Sequence, residues 1–172
     1  MAKIKLLILD VDGVLTDGRL PYEAEGNETK VFHVQDGAAI RRWRAMGGLV
    51  ALISGRQAPS VASRAKDLGV GFVEQGVTDK LPVYLKVRES HKLSDAEVAV
   101  VGDDLMDLGP MRRCGYPIAV GNAVAAVKRA ARYVTRRGGG EGAVGEAIER
   151  LMRHNGIWEQ VLQRYGSTES EA

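Results

Sequence analysis

Short apolar runs and longer mixed stretches alternate along the chain. Ile4–Leu9 is a continuous aliphatic run of the kind that forms a strand buried on both faces. Leu49–Ile53, Val98–Val101 and Pro117–Val120 repeat it, and Val70–Val73 is a weaker copy. Between them lie Ala38–Met46, Ala58–Leu68, Lys80–Ser90, Leu105–Arg113 and Ala123–Ala131, each near the length of a crossover helix. This order predicts an α/β protein with a Rossmann-like, doubly wound parallel sheet and helices on both faces.

One segment departs from the alternation. Gly18 to Val34 holds two extended stretches around Glu25-Gly26-Asn27, a turn signal. It predicts a β-hairpin over about residues 18–34, projecting from the carboxyl end of the first strand. Past Tyr133 the chain turns Arg- and Gly-rich, and a helix is expected from Gly142 to His154. Residues 1–165 are read as one domain without a cap, and the polar stretch 166–172 as a disordered tail.

Composition narrows the function. With 172 residues and 45% hydrophobic content, the chain can bury one sizeable core but not two. The net charge is only +2, and no basic block or interleaved Arg-aromatic pattern points to a nucleic acid partner. No apolar run approaches the roughly 20 residues of a membrane span. The N-terminal run is interrupted by Asp10 and has no small-residue cleavage site, so a cytoplasmic protein is expected. Cys114 is the single cysteine, which leaves no internal disulfide; beside Gly115 it reads as a small core residue.

The chemistry concentrates where strands end. Asp10-Val11-Asp12-Gly13 follows the first strand directly, at the edge where open parallel sheets bind ligands. Two carboxylates leaving that edge together need a cation, a proton or solvent. Ser54-Gly55-Arg56 follows the second strand and offers a hydroxyl and backbone N–H groups to phosphate oxygens. Lys80 opens a helix, and Gly102-Asp103-Asp104-Leu105-Met106-Asp107 follows another strand. Each element has an ordinary reading by itself: a calcium-type loop, an N-cap serine, a solvated lysine, a helix cap. Four of them at one sheet edge point to phosphoryl chemistry.

A phosphate dianion repels an attacking carboxylate, so a nucleophilic Asp10 requires positive charge beside it. Magnesium suits an all-oxygen site, and Asp10, Asp103 and the main-chain carbonyl of Asp12 are the expected ligands, with Asp104 and Asp107 behind them. Lys80 adds charge and Ser54 a hydrogen bond, while Asp12 is the expected proton donor to the leaving alcohol.

The order Asp10-x-Asp12, Ser54, Lys80, Gly102-Asp103-Asp104-x-x-Asp107 resembles the four motifs of the haloacid dehalogenase superfamily of phosphohydrolases. Only the hairpin and one helix plus strand occupy the intervals where that superfamily inserts caps, as in its capless subgroup. DVDGVLTDG, VFHVQDGAAIRR, LISGR, GVTDK, VGDDLMDLGPM and YVTRRGGGEGAVGEAIE are similar to the 3-deoxy-D-manno-octulosonate (KDO) 8-phosphate phosphatases of that subgroup. The resemblance implies a phosphorylated sugar acid as substrate. It also implies a homotetramer in which hairpins form a central barrel and neighbouring chains complete shared active sites.

Sugar contacts implied in the same way fall on His33, Val34, Gln35, Asp36, Gly37, Arg41, Gly55, Arg56, Arg64 and Lys80. His33 and Gln35 stand where the family commonly has Asn and Arg, and Gly121-Asn122 replaces a more usual Ala-Asp. Arg56 favours the eight-carbon sugar over a sialic-type 9-phosphate, whose phosphatases carry Glu there. A catalytically silent tetramerisation module and a response-regulator-like phosphoacceptor are the readings of other classes. The complete set of motifs and the early Asp-x-Asp pair speak against them. His91 and His154 near helix ends are read as dipole partners. Trp43 and Trp158 fit packing or an interface, and Arg136–Gly140 either a lid over a neighbour or a solvated loop.

Overall fold

The aliphatic runs assemble into the middle of one sheet. A computed structural model describes residues 2–166. Its strands are β1 (Leu6–Leu9), β2 (Leu49–Ile53), β3 (Phe72–Glu74), β4 (Val98–Gly102), β5 (Tyr116–Ala119) and β6 (Tyr133–Val134). They lie in the order β3-β2-β1-β4-β5-β6, and every pairing is parallel. All residues of β1 and β4 are buried, as strands covered by helices on both faces must be. The chain builds outward from β1 through β2 to β3, then crosses back to place β4 on the other side of β1. That reversal opens a crevice between the carboxyl ends of β1 and β4, where doubly wound sheets bind ligands.

The helices are α1 (Val34–Ala45), α2 (Pro59–Leu68), α3 (Lys80–Ser90), α4 (Leu108–Arg113), α5 (Ala125–Ala130), α6 (Ala143–His154) and α7 (Trp158–Gly166). Pro59 starts α2 and Gly69, in the left-handed region, ends it. Helix α6 buries Val144, Ala147, Ile148 and Leu151 at helical spacing and packs on α1, which contributes Ala39, Ile40 and Trp43. Trp43 is a core residue whose Nε1–H donates to the Leu49 carbonyl at 3.0 Å. Trp158 packs partly buried beneath the Arg153 guanidinium. Among the described residues no helix is long and apolar enough to cross a membrane.

Several elements differ from the sequence reading, each for a local reason. Helix α1 begins at Val34 rather than Ala38, its first turn tied to α6 through Asp36. The weak strand moves from Val70–Val73 to Phe72–Glu74, because Val70 N–H is still bonded to the Ala65 carbonyl of α2. The expected helix Leu105–Arg113 opens as a 3-10 turn, Leu105–Asp107, before α4 starts. The expected Ala123–Ala131 helix contracts to α5. Strand β6 and helix α7 were not anticipated. The first has two residues, and the second fully buries only Val161, so neither carries much periodicity.

The projecting segment does turn back at Gly26, but as a short structure. Its ladder is one antiparallel bridge, Tyr22↔Glu28, flanked by Glu23 N–H to Asn27 O at 2.9 Å and Thr29 N–H to Pro21 O at 3.0 Å. Pro21 has no N–H to extend the ladder. The tail expected from residue 166 lies outside the described residues except for Gly166, which ends α7.

Candidate active site

Strands β1 and β4 run side by side and both exit into aspartates. Asp10 is 7% exposed, and its N–H donates to the Val101 carbonyl, which fixes the strand exit. The chain then turns sharply: the Val11 carbonyl accepts from Val14, Leu15 and Thr16 N–H, and Thr16 Oγ1 accepts from Gly13 and Gly18 N–H. Gly13 has φ +94°, and a Cβ there would lie 2.1 Å from Asp103 Oδ2. The glycine is therefore what lets Asp103 approach the turn.

Lys80, buried at the start of α3, bridges the two groups. Its Nζ donates to Asp10 Oδ1 at 2.5 Å and to Asp107 Oδ1 at 2.7 Å. Asp79 caps the helix by accepting from Leu81 N–H, so the lysine is held at a defined helical position. Asp107 is 3% exposed; its second oxygen accepts from Asp103 N–H at 2.9 Å and Asp104 N–H at 3.3 Å. Carboxylate oxygens of Asp10, Asp103 and Asp107 lie within 4.8 Å of one another. Asp107 therefore lies close enough to Asp10 and Asp103 to share a cation with them, while its own two oxygens already accept from Lys80 and from the Asp103 and Asp104 N–H groups. Asp104 instead caps the 3-10 turn.

Three carboxylates face one ammonium here, a formal excess of two negative charges. Burial pushes the Asp10 pKa up to about 7; Lys80 opposes the rise, and Asp107 and Asp103 add to it. Burial and the Asp107 charge raise Asp103 to about 6, again opposed by Lys80. Burial acts against the Lys80 ammonium, but Asp10 and Asp107 outweigh it and its pKa is raised. A divalent cation would cancel the excess, and an oxygen-only donor set suits magnesium. The residues present fit the ion.

Asp12 points elsewhere. One carboxylate oxygen pairs with Lys30 Nζ, and the other lies 3.5 Å from Ser54 Oγ. Ser54 is buried at the end of β2, where its hydroxyl donates to the Arg56 carbonyl at 3.0 Å. Lys30 is also bonded to Glu28 at 2.5 Å, and Glu28 in turn pairs with Arg56 at 2.5 Å. Burial opposes the Lys30 ammonium, yet its bonds to Asp12 and Glu28 raise its pKa. Glu28 is held below its ordinary pKa by Arg56 and Lys30. Neither Lys30 nor Glu28 was among the residues expected from sequence. Their spacing of two on an extended segment, which puts both side chains on one face, was the available signal.

The residues implied as sugar contacts scatter. Arg56 reaches the Asp12 network through Glu28 and donates to Tyr22 Oη at 3.2 Å. Arg41 and Arg64 both pair with Asp67 on α2 at 2.8 Å, and Arg64 also lies over the Phe32 ring. Gly37 makes room for that guanidinium, which would lie 2.3 Å from a Cβ. Asp36 is 1% exposed and accepts from Gly145 N–H at 2.7 Å, a helix-to-helix tie. Gln35 accepts from Arg137 at 2.9 Å, Val34 is exposed, and His33 stands at the N-cap position of α1 without a side-chain capping bond, its Nδ1 buried and unpartnered. Gly55 sits against Met106.

The glycines of the Arg136–Gly140 segment pack against their own chain, while Arg136 and Arg137 are exposed. Gly140 N–H donates to the Val14 carbonyl at 3.1 Å and Gly139 N–H to Asn122 Oδ1 at 2.8 Å, which sets the segment on the turn that follows β1. A cavity of about 650 Å³ lies elsewhere, lined by Arg42, Arg136, Arg137, Arg150 and Arg153 among others, with no member of the acidic cluster.

Residues 72–148 match the model of the haloacid dehalogenase-like hydrolases. The chain is 40% identical over 151 residues to the 3-deoxy-D-manno-octulosonate 8-phosphate phosphatase KdsC of Yersinia pestis, covering 88% of this chain and 81% of that one. The crystal structure of the phosphatase of that name from Moraxella catarrhalis, in complex with magnesium ion, phosphate ion and KDO, superposes with a TM-score of 0.91. It is 36% identical and covers 94% of this chain and 93% of its own. The cobalt-bound enzyme from Haemophilus influenzae gives a TM-score of 0.87 at 36% identity, covering 91% of each chain.

Proposed function

The chain belongs to the 3-deoxy-D-manno-octulosonate 8-phosphate phosphatases, a family of haloacid dehalogenase-like hydrolases, and from that membership we propose that it hydrolyses KDO 8-phosphate to KDO and phosphate. The observation that carries the reading is the meeting of Asp10, Asp103, Asp107 and Lys80 at the β1–β4 switch point.

In this reading an Asp10 oxygen attacks phosphorus in line with the leaving sugar oxygen. The bond from phosphorus to that oxygen breaks, Asp12 supplies its proton, and an aspartyl-phosphate remains on Asp10. Asp12, now a carboxylate, takes a proton from water as the water attacks that phosphorus and restores Asp10. Lys80 offsets charge on both the nucleophile and the phosphoryl oxygens, and Ser54 Oγ–H turns from the Arg56 carbonyl to donate to one of them. Magnesium, when held by Asp10, Asp103 and the Asp12 carbonyl with Asp107 beside them, supplies the positive charge that lets a carboxylate approach a phosphate dianion.

The reading includes a homotetramer with shared sites. What supports it is the exposure of Leu20, Tyr22, Val31 and Val34 along the projecting segment, apolar surface that pairing with other copies would cover. Arg41 and Arg64 would serve a neighbouring site only by exchanging their pairing with Asp67 for the substrate. A cytoplasmic location goes with a substrate too charged to cross a bilayer unaided.

The test is phosphate release, with magnesium, from KDO 8-phosphate and sialic-type 9-phosphates side by side. KDO 8-phosphate is expected to give the larger kcat/KM, and Asp10→Asn to abolish turnover. A preference for the nine-carbon substrates overturns the assigned sugar; inactivity on every sugar phosphate overturns the enzyme.

A further inference from the structure

The catalytic reading explains Lys80 but leaves a second buried lysine unused. Lys30 comes from the projecting segment and not from the sheet, and its side chain is 1% exposed. Its Nζ is bonded to Asp12 Oδ1 on one side and to Glu28 Oε1 on the other. An ammonium so buried costs free energy unless opposite charge faces it, and here two carboxylates do. Each has its own role. Glu28 is anchored from behind by Arg56 at 2.5 Å, so the lysine is supported on the side away from the catalytic turn. Among the described residues, Asp12 has as another side-chain hydrogen-bond contact the weak approach of Ser54 Oγ, 3.5 Å from Oδ2.

We propose that Lys30 is the positioning residue for Asp12, fixing the rotamer in which Oδ1 is anchored and Oδ2 faces the leaving oxygen of the substrate. The inference rests on Asp12 being the proton donor. A carboxyl joined to the backbone by two rotatable bonds samples several orientations, and only one aims a proton at the leaving oxygen. Lys30 removes that freedom. Its charge also faces the carboxylate that forms as the Asp12 proton moves to the leaving oxygen, the phosphorus–oxygen bond breaks and the Asp10–phosphorus bond forms. The projecting segment is therefore part of the catalytic apparatus of its own chain, since it delivers the lysine.

A leaving-group comparison separates positioning of an acid from a structural role. A sugar alkoxide is a poor leaving group and needs its proton during bond breaking; 4-nitrophenolate does not. The parameter to compare is kcat/KM, which covers the steps up to loss of the leaving group and omits hydrolysis of the aspartyl-phosphate. Wild type, Asp12→Ala, Lys30→Met and Lys30→Arg are assayed on KDO 8-phosphate and 4-nitrophenyl phosphate with magnesium. Asp12→Ala is expected to lose on the order of 100-fold or more on the sugar phosphate and far less on the aryl phosphate. Lys30→Met is expected to repeat that pattern at about 10-fold or more on the sugar phosphate, with Lys30→Arg recovering part of it.

Equal losses by Lys30→Met on both substrates assign the lysine to the fold or to phosphate binding and overturn the proposal. So does a Lys30→Met enzyme within about 2-fold of wild type on KDO 8-phosphate, whatever the aryl substrate gives. If Asp12→Ala itself shows no dependence on leaving group, the assignment of Asp12 falls and this inference falls with it. A wild type inactive on KDO 8-phosphate but active on another sugar phosphate refutes only the assigned sugar, and the same comparison is then run on that substrate.

Discussion

Lys80 Nζ lies 2.5 Å from Asp10 Oδ1, joining a residue at the end of the first strand to one that opens a helix 70 positions later. The same nitrogen is 2.7 Å from Asp107 Oδ1, so one ammonium holds two arms of the acidic cluster. Removing it should show in both chemistry and stability. Lys80→Met is expected to lower kcat by on the order of 100- to 1000-fold, the usual consequence of deleting a preorganised positive group. In chelator, where no cation replaces it, the variant should also lose about 3–5 kcal/mol of unfolding free energy, because Asp10 and Asp107 stay buried without a counter-charge. Kinetics with saturating magnesium and urea titration in EDTA measure the two effects separately. A variant with unchanged kcat would remove Lys80 from the mechanism.

Gly13 controls how closely the two acidic strand exits approach. A methyl group there meets Asp103 Oδ2 at 2.1 Å and must also adopt φ +94°, which side chains rarely do. Gly13→Ala should push Asp103 from the cluster while most of the sheet stays intact. The expected result is a half-saturating magnesium concentration raised about 10- to 100-fold, with the far-ultraviolet circular dichroism of wild type. Unchanged magnesium dependence would show that Asp103 does not help to hold the ion.

The sheet and the position of the site were legible because the chemistry is tied to strand ends. Ile4–Leu9 and Val98–Val101 are unbroken aliphatic runs, and Asp10 and Asp103 follow as soon as burial stops. Their convergence followed from topology alone. The contacts of Asp107 were not legible, because a first-turn aspartate resembles an ordinary helix cap. Only coordinates reveal that one of its oxygens serves the Asp103 and Asp104 N–H groups while the other faces Lys80. Lys30 escaped notice for a similar reason: a lone lysine between a polar turn and Val31-Phe32 carries no sign that it will be buried against Asp12. Family resemblance grouped His33 to Gly37 as sugar contacts; what it does not show is that helical geometry sends Asp36 inward and Val34 outward.

Asp36 tests that division. Its Oδ1 accepts from Gly145 N–H, its Oδ2 is buried without a partner, and burial raises its pKa. Asparagine keeps the accepting oxygen and removes the charge. Asp36→Asn should stay within about 1 kcal/mol of wild-type stability, whereas Asp36→Ala, which strands the Gly145 N–H, should lose about 1–3 kcal/mol. Both should keep the KM for the sugar phosphate when assayed well below their unfolding temperatures. A KM raised severalfold in Asp36→Asn would make this carboxylate a substrate contact after all.

The metal-free protein should respond to pH in a direction opposite to ordinary acid denaturation. Asp10 and Asp103 sit near 7 and 6, against 3.8 for an unperturbed aspartate. Between those limits the folded chain binds protons that the unfolded chain has released. The stability linked to these two groups is fully present below 3.8, falls progressively above it, and is gone once pH has risen through about 6 to 7. Asp36 is raised as well and acts in the same sense, whereas Glu28, Asp95, Glu97 and Glu146 are lowered and lose their contributions only on acidification below the usual glutamate range. In EDTA, the unfolding temperature should therefore rise as pH is brought from about 8 down to about 5.5. Magnesium competes with the same protons, so its stabilising increment should be larger at the alkaline end and shrink on acidification. Differential scanning calorimetry at both pH values, with EDTA and with magnesium, gives all four numbers. A magnesium increment that does not change with pH would mean that the acidic cluster is already fully ionised without the cation, and that its protons play no part in binding it.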